Sequence, residues 1–131
     1  MMSVIHSYYQ AFNEGNREKM LSFLADDVVH EVNQGKAQVG LETFKKFMVH
    51  MDDCYSEQLK DIVIFYDAST KRGAAEFVVD GKYLKTDGSL PPAHGQTYLL
   101  KAGAFLELNE NNKIKRITTY YNLPAWIDMV K

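Results

Sequence analysis

The run Val28-Val29-His30-Glu31-Val32 holds the side chains best suited to moving a proton. Strand alternation sets His30 on one face with Val28 and Val32, and Glu31 on the other. An imidazole titrates near working pH, so it can both take and give a proton. Glu31 is the rival general base. A bulge at Val32-Asn33 would turn it inward, because a one-residue slip reverses every side chain of a strand. Against these stand two plainer readings: a core histidine bonded to a hydroxyl such as that of Tyr8 or to a backbone carbonyl, and a Glu31 left in solvent or at an interface.

Other residues extend the chemistry. Tyr98, Leu100, Ala102 and Ala104 share a strand face, so the Tyr98 hydroxyl would enter apolar surroundings, where it could orient a carbonyl or phenol. Core packing is the alternative for any single tyrosine. Asn33 could present its amide at a pocket rim, or serve as a turn residue before Gly35. No metal site or cofactor is expected: His6, His30, His50 and His94 show no recognisable ligand spacing. Cys54 reads as a free thiol, with no histidine set beside it by sequence. Gly81, Gly88 and Gly95 read as hairpin punctuation, not a phosphate cradle.

The elements that must position these groups follow from periodicity. Ile5, Tyr8, Tyr9 and Phe12 form one helical stripe that Gly15 can close. Asn16 caps a second short helix carrying Met20, Leu21 and Leu24. Gly40 opens a third, with Leu41, Phe44, Phe47, Met48 and Met51 facing the core. The period then becomes two: Ile62 to Tyr66, then Ala75, Phe77 and Val79 ahead of a turn at Asp80-Gly81. Strands follow from Gln96 to Leu108 and from Ile114 to Leu123, with one or two helical turns over 125–130. Helices first and an antiparallel meander after predict an α+β fold, helices against one sheet face.

The totals set bounds. At 131 residues there is room for one domain and not for two cores. A net charge of −2, without blocks of either sign, offers no footprint for nucleic acid or an anionic membrane. No apolar run reaches the roughly 18–20 residues of a membrane span, and the opening Met1-Met2-Ser3-Val4-Ile5-His6 has no leader pattern. One cysteine excludes an internal disulfide, so a reduced cytoplasmic setting is expected. Eight tyrosines, seven phenylalanines and a tryptophan bring more bulk than a curved sheet can fill with its own concavity, which predicts a small-molecule pocket.

Two stretches are similar to a known family. Tyr8-Tyr9-Gln10-Ala11-Phe12-Asn13-Glu14-Gly15-Asn16, with Leu21-Ser22-Phe23-Leu24-Ala25-Asp26-Asp27-Val28-Val29-His30, resembles the opening of the SnoaL-like and ketosteroid-isomerase-like branch of the nuclear transport factor 2-like superfamily. Pro91-Pro92-Ala93-His94-Gly95-Gln96, with Ala104-Phe105-Leu106-Glu107-Leu108, resembles the hairpin and closing strands of SnoaL-like polyketide cyclases. The ending Thr118 to Ile127 looks like a subgroup called ketosteroid isomerase-related.

That resemblance implies a single SnoaL-like domain over 1–131, with a cystatin/nuclear transport factor 2-like cone: three N-terminal helices packed in a strongly curved, mixed, mainly antiparallel sheet. It casts Tyr8 as an oxyanion donor through its distance to Asn13 and Gly15. The isomerase base position falls on Val32 and the oxyanion acid on Ala104, so steroid isomerase activity is not expected. The inward set of the last strand becomes Ile117, Thr119, Tyr121 and Leu123. Phe12, Phe47 and Phe77 join Val32, Asn33 and Tyr98 around the pocket, with Ala104 and Tyr121, and Trp126 closes its mouth or covers the barrel end. Glu76, Lys101, Phe105 and Glu107 fall on the outer face, expected to form a homodimer interface.

The function expected is a cofactor-free isomerase or cyclase acting by proton transfer on a small hydrophobic carbonyl compound, with His30 (or Glu31) as acid–base and Tyr8 as donor. The alternatives are a non-catalytic ligand-binding dimer and an interaction module whose cavity is filled by its own side chains.

Overall fold

Ser3 starts the first helix, α1 (Val4–Glu14). Its hydroxyl accepts from the His6 N–H at 3.4 Å while His6 Nδ1 accepts from the Ser3 N–H at 3.1 Å, a reciprocal capping box. Gly15 ends the helix at φ 71°, the left-handed position that favours glycine. The computed structural model describes residues 3–131; Met1 and Met2, part of the opening read above for a leader, lie outside the described residues. Asn16 then caps α2 (Arg17–Ser22), accepting from the Lys19 N–H at 3.1 Å.

Numbered in chain order, the strands are β1 (Leu24–Val32), β2 (Gln38–Val39), β3 (Tyr55–Asp67), β4 (Arg72–Tyr83), β5 (Thr97–Leu108) and β6 (Ile114–Tyr121). Helix α3 (Leu41–Cys54) precedes β3, and α4 (Leu123–Val130) follows β6. They form one sheet in the order β2-β1-β6-β5-β4-β3. β3 to β6 make the antiparallel meander, and β1 runs parallel to β6, so the sheet is mixed as expected. Helices α1 and α3 pack on its inner face over a core that includes Ile5, Val28, Leu106, Ile114 and Ile117.

Asn13 joins helix to sheet. Its side-chain amide donates to the Leu59 carbonyl and accepts from the Leu59 N–H, both at 2.8 Å, and so pairs with β3 as a strand would. Just beyond, Asp61 adopts φ 54° and the β3–β4 register shifts between Lys60 and Val63, a bulge that bends the strand.

Several boundaries differ from expectation. Leu24, expected on the second helix, opens β1, since α2 stops at Ser22. β3 begins at Tyr55, seven residues before the β-rich run at Ile62, because the helix hands over directly to the strand. β4 runs straight through Asp80-Gly81, where a turn was expected. Gly81 is there for space: it pairs with Tyr98, and an added Cβ would fall 2.2 Å from the tyrosine ring. Gly88 and Gly95, at φ 54° and 88°, do mark loop turns. Finally, the C-terminal turns are a full fourth helix, capped by Asn122, whose side chain accepts from Ala125 N–H at 3.0 Å, with Pro124 in its first turn. Among the described residues no helix is long and apolar enough to cross a membrane.

Candidate functional site

Between the helices and the inner sheet face lies a cavity of about 300 Å³. His30 stands in its wall together with Val32, as alternation required, and only 6% of the residue is exposed. The ring packs edge-on against Phe44 and Phe47 of α3, with centroids 4.9 and 4.6 Å away. Among the described residues no protein group hydrogen-bonds the imidazole, yet no buried side-chain nitrogen or oxygen is both sealed and unpartnered. The ring nitrogens are therefore accessible, in a residue of the cavity wall. Burial lowers the His30 pKa to about 4, so the ring is neutral near pH 7.

The neighbouring Glu31 takes the other face. Its carboxylate accepts from the Thr118 hydroxyl at 3.5 Å, and it is absent from the cavity wall. No bulge interrupts β1 between Val29 and Val32, where its pairing with β6 is continuous, so the slip that would have turned Glu31 inward does not occur. Asn33 is displaced too. With φ 51° it turns the chain, and its side-chain oxygen accepts from the Tyr121 N–H at 2.7 Å, a structural cap and not a cavity group.

Tyr8, Phe12, Phe47, Phe77, Tyr121 and Trp126 do line the cavity. Burial raises the pKa of Tyr8 and of its wall neighbour Tyr9, and with them Tyr121, so these hydroxyls stay protonated and serve as donors. Tyr8 has no hydroxyl partner among the described residues and, like His30, is not sealed. Ala104 and Tyr98 are buried on the inward face but lie outside the cavity lining, since Tyr98 is turned behind Glu57. Trp126 is buried at the cavity end, with ring centroids 5.1 Å from Tyr83 and 5.9 Å from both Tyr55 and Tyr98.

Two carboxylates in the wall went unread in the sequence. Glu57, from the first turn of pleat in β3, accepts from the Tyr98 hydroxyl at 2.5 Å. Burial pushes its carboxyl above the ordinary value, opposed by that hydrogen bond. Asp87, on the loop after β4, accepts from the Tyr55 hydroxyl at 2.7 Å and lies 2.8 Å from His50 Nε2. His50 also stands 4.0 Å from Cys54 Sγ, so the thiol does have a histidine beside it. Their i,i+4 spacing on α3 carried that signal; Glu57 carried none, because an early strand start after a helix hides its facing.

A second hollow, about 1180 Å³, lies open on the outer sheet face. It is larger but shallow, and Phe65, Glu76, Lys101, Phe105 and Tyr120 line it, whereas the proton-bearing groups gather in the smaller one. Enclosure and convergent polar groups make the inner cavity the candidate site.

The chain matches the SnoaL-like domain over residues 5–117. It is similar to a provisionally assigned polyketide cyclase of Pseudomonas putida KT2440, with 46% identity, full coverage of both chains and a TM-score of 0.95. A protein of the same description from Silicibacter sp. TM1040 is 48% identical over 98% of this chain and 93% of its own, with a TM-score of 0.93. A nuclear transport factor 2-like protein of Burkholderia xenovorans LB400 shares the fold at 10% identity, covering 98% of this chain and 93% of its own, with a TM-score of 0.75. No curated protein matches the chain at a significant level.

Proposed function

The chain belongs to the SnoaL-like domain family, and on that premise we propose that it is an enzyme of the cyclase/isomerase type, moving a proton beside the carbonyl of a small hydrophobic compound. The observation that carries this reading is the His30 imidazole: neutral, buried, and in the cavity wall with no hydrogen-bond partner among the described residues. A buried polar group ordinarily finds a partner in the fold. One left open to a cavity is arranged for a group that arrives with the ligand.

In this reading His30 accepts the proton, and the Tyr8 hydroxyl donates to the oxygen on which negative charge develops. Tyr121 lies in the same wall as a further donor. Glu57, held by Tyr98 and raised by burial, is the group able to return a proton. All of this is side-chain chemistry and needs no cofactor. Val32 and Ala104 occupy the positions where the resemblance sets the ketosteroid isomerase carboxylates, so steroid isomerisation is not the reaction proposed.

A second reading, a ligand-binding protein without catalysis, draws on the same wall: both of its carboxylates, Glu57 and Asp87, already accept tyrosine hydrogen bonds. We extend the proposal to the setting: a single-domain cytoplasmic protein, paired as a homodimer through the outer face. That face exposes Phe65 and Phe105 by more than half, at 64% and 51%.

The test is a screen of hydrophobic ketones, lactones and phenols for a rise in melting temperature, since a ligand bound to the folded state stabilises it by mass action. Each stabilising compound is then followed by NMR for conversion. Conversion that disappears in His30→Ala supports the enzyme. Compounds that stabilise the protein and never react support the binder, and a shift unchanged in His30→Ala removes the cavity from the account.

A further inference from the structure

At the cavity mouth three side chains of different chemistry converge. His50 Nε2 lies 2.8 Å from Asp87 Oδ1 and 4.0 Å from Cys54 Sγ, and the three atoms all fall within 4.8 Å of one another. His50 and Cys54 come from one face of α3, four residues apart, and Asp87 from the loop after β4. We infer that His50, Cys54 and Asp87 form a binding site for a divalent transition cation of the zinc class, three-coordinated by the protein and open to the cavity at a fourth position.

The geometry separates this reading from a nucleophilic cysteine. In a nucleophile–base–orienter relay the nucleophile and the carboxylate use different ring nitrogens of the histidine. Here sulfur and carboxylate oxygen both approach Nε2. Three donors gathered about one point suit a cation, not a relay. Zinc bond lengths of about 2.0–2.3 Å in a tetrahedron set ligand atoms roughly 3.3–3.6 Å apart. The observed 2.8 and 4.0 Å straddle that range, and His50, with half its side chain exposed, is free to close the difference.

Charge and surroundings agree. A thiolate and a carboxylate balance a dication, and a sulfur–nitrogen–oxygen set selects zinc-like metals over magnesium or calcium. The second oxygen of Asp87 accepts from the Tyr55 hydroxyl at 2.7 Å, the kind of outer contact that orients a ligating carboxylate. The loop is already fastened: Leu84 N–H donates to the Cys54 carbonyl at 2.8 Å, and Asp87 N–H to the Tyr83 hydroxyl at 2.9 Å. Little ordering is left for the metal to impose. Since His50, Asp87 and Tyr55 line the cavity, the fourth position faces inward, where water or the carbonyl or phenolate oxygen of a cavity ligand would bind. The inference goes beyond the proton-transfer reading and stands whether or not His30 reacts.

The experiment titrates chelator-treated, reduced full-length protein with cobalt(II) chloride, then displaces the cobalt with zinc chloride. One equivalent of cobalt should give tetrahedral visible bands and a thiolate charge-transfer band in the near ultraviolet, both abolished by zinc. Zinc affinity should fall more than about 100-fold in His50→Ala and in Cys54→Ser, exceeding the loss of an outer contact alone, and stay unchanged in His94→Ala. Cys54 is buried, so should its variant not fold, the half-exposed His50→Ala carries the test. Absence of the thiolate band in the unmodified protein, or a band that survives His50→Ala, overturns the site.

Discussion

The Tyr98 hydroxyl donates to Glu57 Oε2 at 2.5 Å, a bond that reaches from β5 to β3 across Gly81 of the intervening β4. Burial, opposed by this bond, raises the Glu57 pKa in the same wall that holds a histidine with a lowered one. Titratable groups pushed apart by their environments are the arrangement from which acid and base roles arise. Burial disfavours the charged form of both, which makes His30 the acceptor and Glu57 the group that keeps its proton to higher pH.

Glu57→Gln keeps an oxygen for the Tyr98 hydroxyl and removes a buried negative charge. Because the folded carboxyl holds its proton to higher pH than the unfolded one, charge on Glu57 opposes folding as pH rises through that folded value. The variant should therefore melt at or above the parent temperature at pH 7, measured by calorimetry. Turnover should drop about 10²-fold, the lower bound for losing a positioned acid–base group.

His30 gives stability an acid limit. The unfolded chain takes up this proton near pH 6.5 and the folded protein only near 4, so between these values the unfolded state binds more protons. Stability should fall as pH drops through that window and level off below it, by up to roughly 3 kcal/mol from this group alone. Urea unfolding at several pH values checks the slope, and His30→Gln should flatten it.

Asn13→Ala should cost about 1–3 kcal/mol, since it strips partners from both backbone groups of Leu59. Asn13→Asp should recover only part, because a carboxylate can accept from the Leu59 N–H but cannot donate to its carbonyl. Chemical denaturation of the two variants distinguishes lost hydrogen bonds from lost packing.

On the outer face, Phe105 stacks edge-on with Tyr120, centroids 6.0 Å apart, at the floor of the open hollow. If this surface joins two copies, Phe105→Glu should convert a dimer to a monomer in sedimentation velocity while leaving the melting curve of the isolated fold near its former position.

How far these features could be read from the chain depended on the range of the forces that decide them. The facing of His30 was legible because alternation is local and the apolar residues Val28 and Val32 flank it. The stripe of α1 and its stop at Gly15 were legible for the same reason. Asn33 took the turn reading, but its partner, the Tyr121 amide, was not legible because it lies 88 residues away. Gly81 looked like a turn although a cross-strand ring, not a backbone angle, demands it. Glu57 stayed hidden because α3 passes into β3 without a break, and Asp87 because only the folded loop brings it to His50.

The claim at the centre of this account is that His30 takes a proton from carbon inside the cavity. The rate at which a bound hydrophobic ketone exchanges its α-hydrogen for solvent deuterium, followed by NMR, measures that step without requiring a finished product. The account predicts catalysed exchange by the unmodified protein and a loss of about 10²-fold or more in His30→Ala. Equal exchange rates in the two proteins would contradict it.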